Sequence, residues 1–131
     1  MITYIIIDDE HIAHDIIKGY CDMLPNLEFK ADCYDAIEAI DYLQKEEVDL
    51  IFLDLNMPKK SGIECLNEIK ANSKMSEIAI AIYSTSASEE DIEETFVLGA
   101  NIYIKKRRPF SRPFKVIDVR ENYSSSANLL K

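Results

Sequence analysis

Short apolar runs alternate along this chain with longer stretches in which apolar residues recur every three or four positions. The runs fall at 2–7, 27–33, 49–53, 78–83 and 101–105, and their length and composition predict strands. Strands alternating with helix-period segments predict an α/β fold, a doubly wound parallel sheet with helices on both faces.

After the first run, Ile12, Ile16, Ile17, Tyr20 and Leu24 keep helical spacing until Pro25 stops them. Asp35 offers an N-cap to a second helix carrying Ala36, Ile37, Ala39, Ile40 and Leu43. Ile63, Leu66, Ile69 and Lys70 follow Gly62 as a third helix. The run Ser88-Glu89-Glu90-Asp91 has the form of a capping box and opens a fourth, through Ile92, Phe96 and Leu98 to Gly99. A short fifth helix is expected from Ser111 as cap, Pro113 in the first turn, and Phe114, Ile117 and Val119 as its apolar face. The stretch 124–128 reads as a frayed end or a linker, so one domain over 1–122 and a flexible tail over 123–131 are expected.

At 131 residues and 47% hydrophobic, the chain is long enough for one well-buried core and too short for two ordinary domains. Charge is unevenly spread. Residues 1–104 carry 22 acidic against 7 basic side chains, while 105–131 carry 2 against 8. So acidic a body is unsuited to phosphate-backbone contacts, and nucleic-acid binding by the body itself is not expected. Cys21, Cys33 and Cys65 show no C-x-x-C spacing and read as reduced thiols. The first apolar run is short and followed directly by acids, which suits neither a signal peptide nor a membrane span, and a cytoplasmic protein is expected.

Two strands end on carboxylates. The run Leu50-Ile51-Phe52-Leu53 meets Asp54 and breaks at once into Leu55-Asn56-Met57-Pro58-Lys59-Lys60-Ser61-Gly62, and the run from Ile2 to Ile7 meets Asp8-Asp9-Glu10. An acid in such a place is expected to be exposed at the edge of the sheet, where α/β folds carry out chemistry. If the two strands are parallel neighbours, three or four carboxylates converge, and each raises the pKa of the others unless a cation neutralises them. An all-oxygen site of that kind suits Mg2+, and leaves one carboxylate free as a nucleophile toward a phosphoryl group. His11 and His14, one helical turn apart, are expected on the exposed side of the first helix and not as a metal site; Met57 and Met75 read as packing.

Taken together these residues resemble the receiver domain of two-component response regulators, over about residues 2–120. The resemblance implies a flavodoxin-like (CheY-like) three-layer sandwich around a five-stranded parallel sheet of order 2-1-3-4-5. It implies Asp54 as phosphoacceptor, with Asp8, Asp9, Asp54 and the backbone carbonyl of Asn56 around Mg2+ and Asp9 the more direct ligand of the acid pair. Ser84 matches the switch hydroxyl, Tyr103 the switch aromatic, and Lys106 the lysine that pairs with the phosphoryl group. The implied partner is a sensor histidine kinase or phosphotransfer protein. The resemblance also implies that phosphorylation remodels the surface of the fourth helix, fifth strand and fifth helix, with a phosphorylation-dependent homodimer as one use of that surface. The runs from Ile5 to Asp15 and from Arg108 to Ser111 are similar to the LytTR-type branch, in which DNA is reached only through a C-terminal domain not contained in these residues.

One departure stands out. The family places proline directly after its lysine, whereas Arg107 follows Lys106 here. Counting from Gly99-Ala100-Asn101 puts the lysine at 106; aligning Pro109-Phe110 instead puts Arg108 in that slot. The strand from Ile102 to Ile104 favours Lys106. Two other readings remain: a receiver-like interaction module that signals without phosphate, and an aspartyl-nucleophile phosphatase. The phosphatase would place a second acid two residues after its nucleophile, where this chain has Asn56. The expectation is therefore a phosphoacceptor able at most to dephosphorylate itself, not an enzyme turning over external substrates.

Overall fold

A computed structural model describes residues 1–86 and 88–106, together with the backbone of Lys115–Ile117. In chain order the elements are β1 (Ile2–Ile7), α1 (His11–Cys21), β2 (Leu27–Cys33), α2 (Ala36–Lys45), β3 (Leu50–Leu53), α3 (Gly62–Ala71), β4 (Ala79–Ser84), α4 (Glu89–Val97), β5 (Ile102–Lys105) and β6 (Lys115–Ile117). The sheet has the order β2-β1-β3-β4-β5-β6, and its first five strands are parallel. The five expected strands and their order are thus present, with bounds shifted by a residue at most.

The sixth strand is a correction. Lys115–Ile117 runs antiparallel to β5, pairing Tyr103 with Ile117 and Lys105 with Lys115, where a fifth helix was expected. Ile117 therefore lies in a strand, while Ser111, Pro113, Phe114, Val119 and the tail over 123–131 lie outside the described residues. Two β-branched residues in succession, Val116 and Ile117, lose side-chain freedom in a helix and suit a strand. β5 also offers them an edge of unpaired backbone groups, and an antiparallel strand at the margin of a parallel sheet is a common way to fill it.

Burial alternates along the strands, as a sheet covered on both faces requires. Tyr4 and Ile6 of β1, Phe52, Ala81, Tyr83 and Ile104 form one core with Ala13, Ile17 and Cys21 of α1. Ile5, Ile7, Ile51, Leu53, Ile80, Ile82 and Tyr103 form the other with α2, α3 and α4. The caps are those the sequence promised for α2 and α4: Asp35 accepts from the Glu38 N–H at 2.8 Å, and Ser88 from the Asp91 N–H at 3.1 Å. α3 adds a full capping box between Ser61 and Glu64.

The buried face of α1 is rotated from expectation. It consists of Ala13, His14, Ile17 and Cys21, while Ile12 is 49% exposed and Leu24 lies beyond the helix. Hydrophobic periodicity takes no account of hydrogen bonds, and His14 finds two in the interior. Cys21, Cys33 and Cys65 are all free and buried, and burial pushes the thiols of Cys33 and Cys65 up to about 12, so they are protonated and unreactive. Met57 and Met75 are buried, as expected of packing residues.

Gly62 locks the loop after β3. Its N–H donates to the Leu55 carbonyl at 2.9 Å, and a Cβ there would lie 2.1 Å from the Asp54 carbonyl oxygen and 2.5 Å from the Leu55 Cα. Both obstacles are backbone, so no side chain can move aside. Gly62→Ala is expected to destabilise the domain by at least about 2 kcal/mol; urea unfolding measures it, and a loss near zero would mean the loop yields freely.

Candidate functional site

Parallel pairing of β1 with β3 sets the site. Tyr4–Ile7 pair with Leu50–Leu53 in register, and the ladder continues one residue further as the Asp54 N–H donates to the Ile7 carbonyl at 2.9 Å. On the other side of β1 the Asp8 N–H donates to the Cys33 carbonyl at 3.0 Å, and beyond β4 the Lys106 N–H donates to the Ser84 carbonyl at 2.7 Å. Asp8, Asp54, Ser84 and Lys106 are thereby carried to the carboxyl ends of four strands. In the order β2-β1-β3-β4-β5 the winding reverses between β1 and β3, so Asp8 and Asp54 flank the switch point where open α/β sheets bind ligands.

The acids converge as expected, but Asp54 is only 3% exposed, against the expectation of an exposed edge. Lys106 covers it. This ammonium, itself 3% exposed, lies 2.8 Å from Glu10 Oε1, 2.9 Å from Asp8 Oδ2 and 3.6 Å from Asp54 Oδ1. Asp9 is exposed, and oxygens of Asp8, Asp9 and Asp54 all lie within 4.8 Å of one another. Burial first, then the neighbouring Asp8 carboxylate, push the Asp54 pKa up to about 7 against the pull of Lys106. Burial likewise raises Asp8. Burial works against the Lys106 charge too, but Asp54, Glu10 and Asp8 outweigh it and raise its pKa.

The donor set fits a divalent cation. Three carboxylates supply hard oxygen ligands, and Asp8 Oδ2, although ion-paired with Lys106, is a fully buried atom without a hydrogen bond. The Asn56 N–H donates to Asp54 Oδ1 at 3.3 Å, and its side-chain amide reaches Ser84 Oγ at 3.5 Å. Ser84 is fully buried and also accepts from the Ser86 N–H at 3.3 Å. Tyr103 is internal, its hydroxyl donating to the Ser86 carbonyl at 2.7 Å. Its ring is already inside, tied to the loop between β4 and α4.

Lys106 therefore reaches the acids, while Arg108 lies outside the described residues. Sequence reasoning missed three participants: Glu10 as a partner of Lys106, Ser86 as the anchor of Tyr103, and His14. His14 is 1% exposed, not on the outer side of α1, with Nδ1 2.6 Å from Asp32 Oδ1 and Nε2 2.8 Å from the Asp8 carbonyl oxygen. Glu10 was visible as the third acid of its run, but its ion pair joins positions 96 apart. A cleft of about 220 Å³ beside Glu46, Asp49, Lys74 and Glu77 is lined by none of these residues.

An open, doubly wound sheet with an acid cluster, a buried lysine and a hydroxyl at the carboxyl ends of its central strands defines an α/β domain with its polar groups at the switch point. The chain belongs to the response regulator receiver domain family, whose sequence profile matches residues 4–117. It is 34% identical to the response regulator Rcp1 of Synechocystis over 96 residues, 68% of this chain and 65% of that protein. It is 30% identical to the transcriptional regulatory protein MalR of Bacillus subtilis over 113 residues, 86% of this chain but 47% of MalR. The chain thus spans about half to two thirds of the length of these relatives. The structure of the phosphorylated cyanobacterial phytochrome response regulator RcpA superposes with a TM-score of 0.74 at 31% identity, covering 83% of each chain. The Mn2+-bound form of Rcp1 superposes with a TM-score of 0.72 at 27% identity, covering 82% of this chain and 83% of that one. The narrower likeness to the LytTR-type branch gains no support from these relatives.

The raised Asp54 pKa has a consequence for stability. Its ordinary value is 3.8 and its folded value about 7, so the folded state holds this proton more tightly than the unfolded state. Asp54 therefore favours folding below about pH 4 and loses that contribution as pH rises toward 7. In chelator, Asp54→Asn is expected to gain stability relative to the parent between pH 5 and 8, read as urea midpoints at each pH. A difference that does not change with pH would show that Asp54 ionises normally.

Proposed function

We propose that Asp54 is the phosphoacceptor of this receiver domain, taking a phosphoryl group from a histidine kinase or phosphotransfer protein in a Mg2+-dependent step. The observation that carries this reading is the buried Asp54 carboxylate beside Asp8 and Lys106 at the switch point. One Asp54 oxygen attacks phosphorus, the bond to the donor nitrogen breaks, and an acyl phosphate forms on Asp54. Lys106 releases part of its hold on Glu10 and Asp8 to neutralise a phosphoryl oxygen. Ser84, whose hydroxyl lies 3.3–3.5 Å from the Asn56 amide and the Ser86 N–H and interacts with the Tyr103 hydroxyl, turns to another. Asp8, Asp9, Asp54 and the Asn56 carbonyl would hold Mg2+, which when bound would offset the repulsion between anionic donor and acceptor and favour the ionised form of Asp54.

The Ser84 movement draws on the loop that carries Ser86, and Tyr103 hangs from that loop by its hydroxyl. Phosphorylation then alters the surface of α4 and β5, the interface of a phosphorylation-dependent homodimer. The domain works in the cytoplasm, and DNA is reached only through a separate output domain. Among the described residues no helix is long and apolar enough to cross a membrane.

Intact-mass measurement with acetyl phosphate and Mg2+ is expected to show one added phosphoryl group, absent in Asp54→Ala. Lys106→Ala is expected to slow labelling at least about tenfold and Arg108→Ala to leave it near parental. Equal labelling of the parent and Asp54→Ala would sink the assignment, and a larger effect at Arg108 would move the phosphate-binding cation to that residue. With Asn56 where a hydrolase needs its acid, no steady turnover of p-nitrophenyl phosphate is expected. Many turnovers, lost in Asp54→Asn, would support the phosphatase reading instead.

A further inference from the structure

We propose that His14 is a positioning residue of the acidic site, holding the Asp8 main chain so that the Asp8–Asp9 pair is set for a divalent cation. This rests on the reading that the pair binds Mg2+. His14 is buried against the back of the site, and its Nε2 lies 2.8 Å from the Asp8 carbonyl oxygen. A carbonyl only accepts, so Nε2 carries a hydrogen and donates. On the far side Nδ1 lies 2.6 Å from Asp32 Oδ1, while Lys18 donates to Asp32 Oδ2 at 2.8 Å. Burial opposes the Asp32 charge, but Lys18 and His14 hold its carboxyl below the usual range, so it remains an ionised acceptor. The ring also stacks on Tyr34 at 4.4 Å between centroids and 30° between planes. Hydrogen bonds at both ends and a stacked face leave the imidazole one orientation.

The Asp8 main chain is thereby anchored to β2 twice: its N–H to the Cys33 carbonyl at 3.0 Å, and its carbonyl through His14 to Asp32. With its backbone anchored on both sides, Asp8 is steadied where its carboxylate faces Lys106, and the peptide leading to Asp9 is oriented with it. Outer partners of this kind fix ligand geometry without touching the cation, and their loss costs about 10- to 100-fold in metal affinity. A buried histidine kept only for stability would lack that effect.

The test uses the full chain and MgCl2 alone, with calorimetric Mg2+ affinity and urea stability measured on parent, His14→Phe and His14→Gln. Phenylalanine keeps a ring for Tyr34 but donates nothing; glutamine keeps one donor. His14→Phe is expected to weaken Mg2+ binding at least about tenfold, and His14→Gln to recover most of that loss, even where their stabilities are alike. Independently of any variant, the His14 ring 15N signals of the parent are expected to shift on adding Mg2+. Folded variants that bind Mg2+ like the parent, or ring signals unmoved while the Asp9 amide shifts, would overturn the proposal. A parent that binds no Mg2+ would instead overturn the cation reading beneath it.

Discussion

The parallel pairing of β1 with β3 carries Asp8 and Asp54 to adjacent strand ends, and one buried ammonium makes that proximity tolerable. Two like charges about 4 Å apart at an effective dielectric near 20 repel by roughly 4 kcal/mol. Lys106 offsets this by lying within ion-pair distance of Asp8, Glu10 and Asp54 at once. One positive charge among three acids still leaves the site anionic, and burial together with the Asp8 carboxylate raises the Asp54 pKa despite Lys106. The same imbalance is what makes a cation-binding, phosphoryl-accepting site physically reasonable here.

Around this charge balance the backbone is held with little freedom. Gly62 closes the β3–α3 loop directly beneath Asp54, Cys33 of β2 and His14 of α1 hold the Asp8 main chain, and the Lys106 N–H prolongs the pairing of β4 with β5. The side chains that would respond to a phosphoryl group are tied to the loop before α4. Ser84 makes long contacts to Asn56 and Ser86 and interacts with the Tyr103 hydroxyl, which itself ties β5 to the loop before α4. An acidic floor beside a hydroxyl and an aromatic ring tied to one loop suits a switch, since small motions are not absorbed by the site itself.

The margin beyond β5 differs from what the apolar spacing implied. Three residues there pair with β5 as an antiparallel strand, so the surface flanking α4 and β5 is completed, as far as it is described, by backbone pairing and not by a helix. A three-residue apolar face at helical spacing is a weak signal, and an open strand edge competes for the same residues.

The five parallel strands, the caps of α2 and α4 and the acids at two strand ends were legible in the chain because each depends on neighbours close in sequence. Apolar runs pair with turns, Asp35 and Ser88 meet N–H groups three residues on, and Asp54 directly follows its strand. Lys106 was legible only through its distance from Gly99 and from the strand of Ile102–Ile104, and through resemblance to a family. What tertiary structure alone decided were contacts between distant positions. These are the Glu10 hold on Lys106, the burial of Asp54 beneath it, the Tyr103 tie to Ser86, and the turning of His14 inward toward Asp8 and Asp32. Periodicity ranks residues by hydrophobicity, and a histidine or a lysine is drawn inside by partners that only the folded sheet brings within reach.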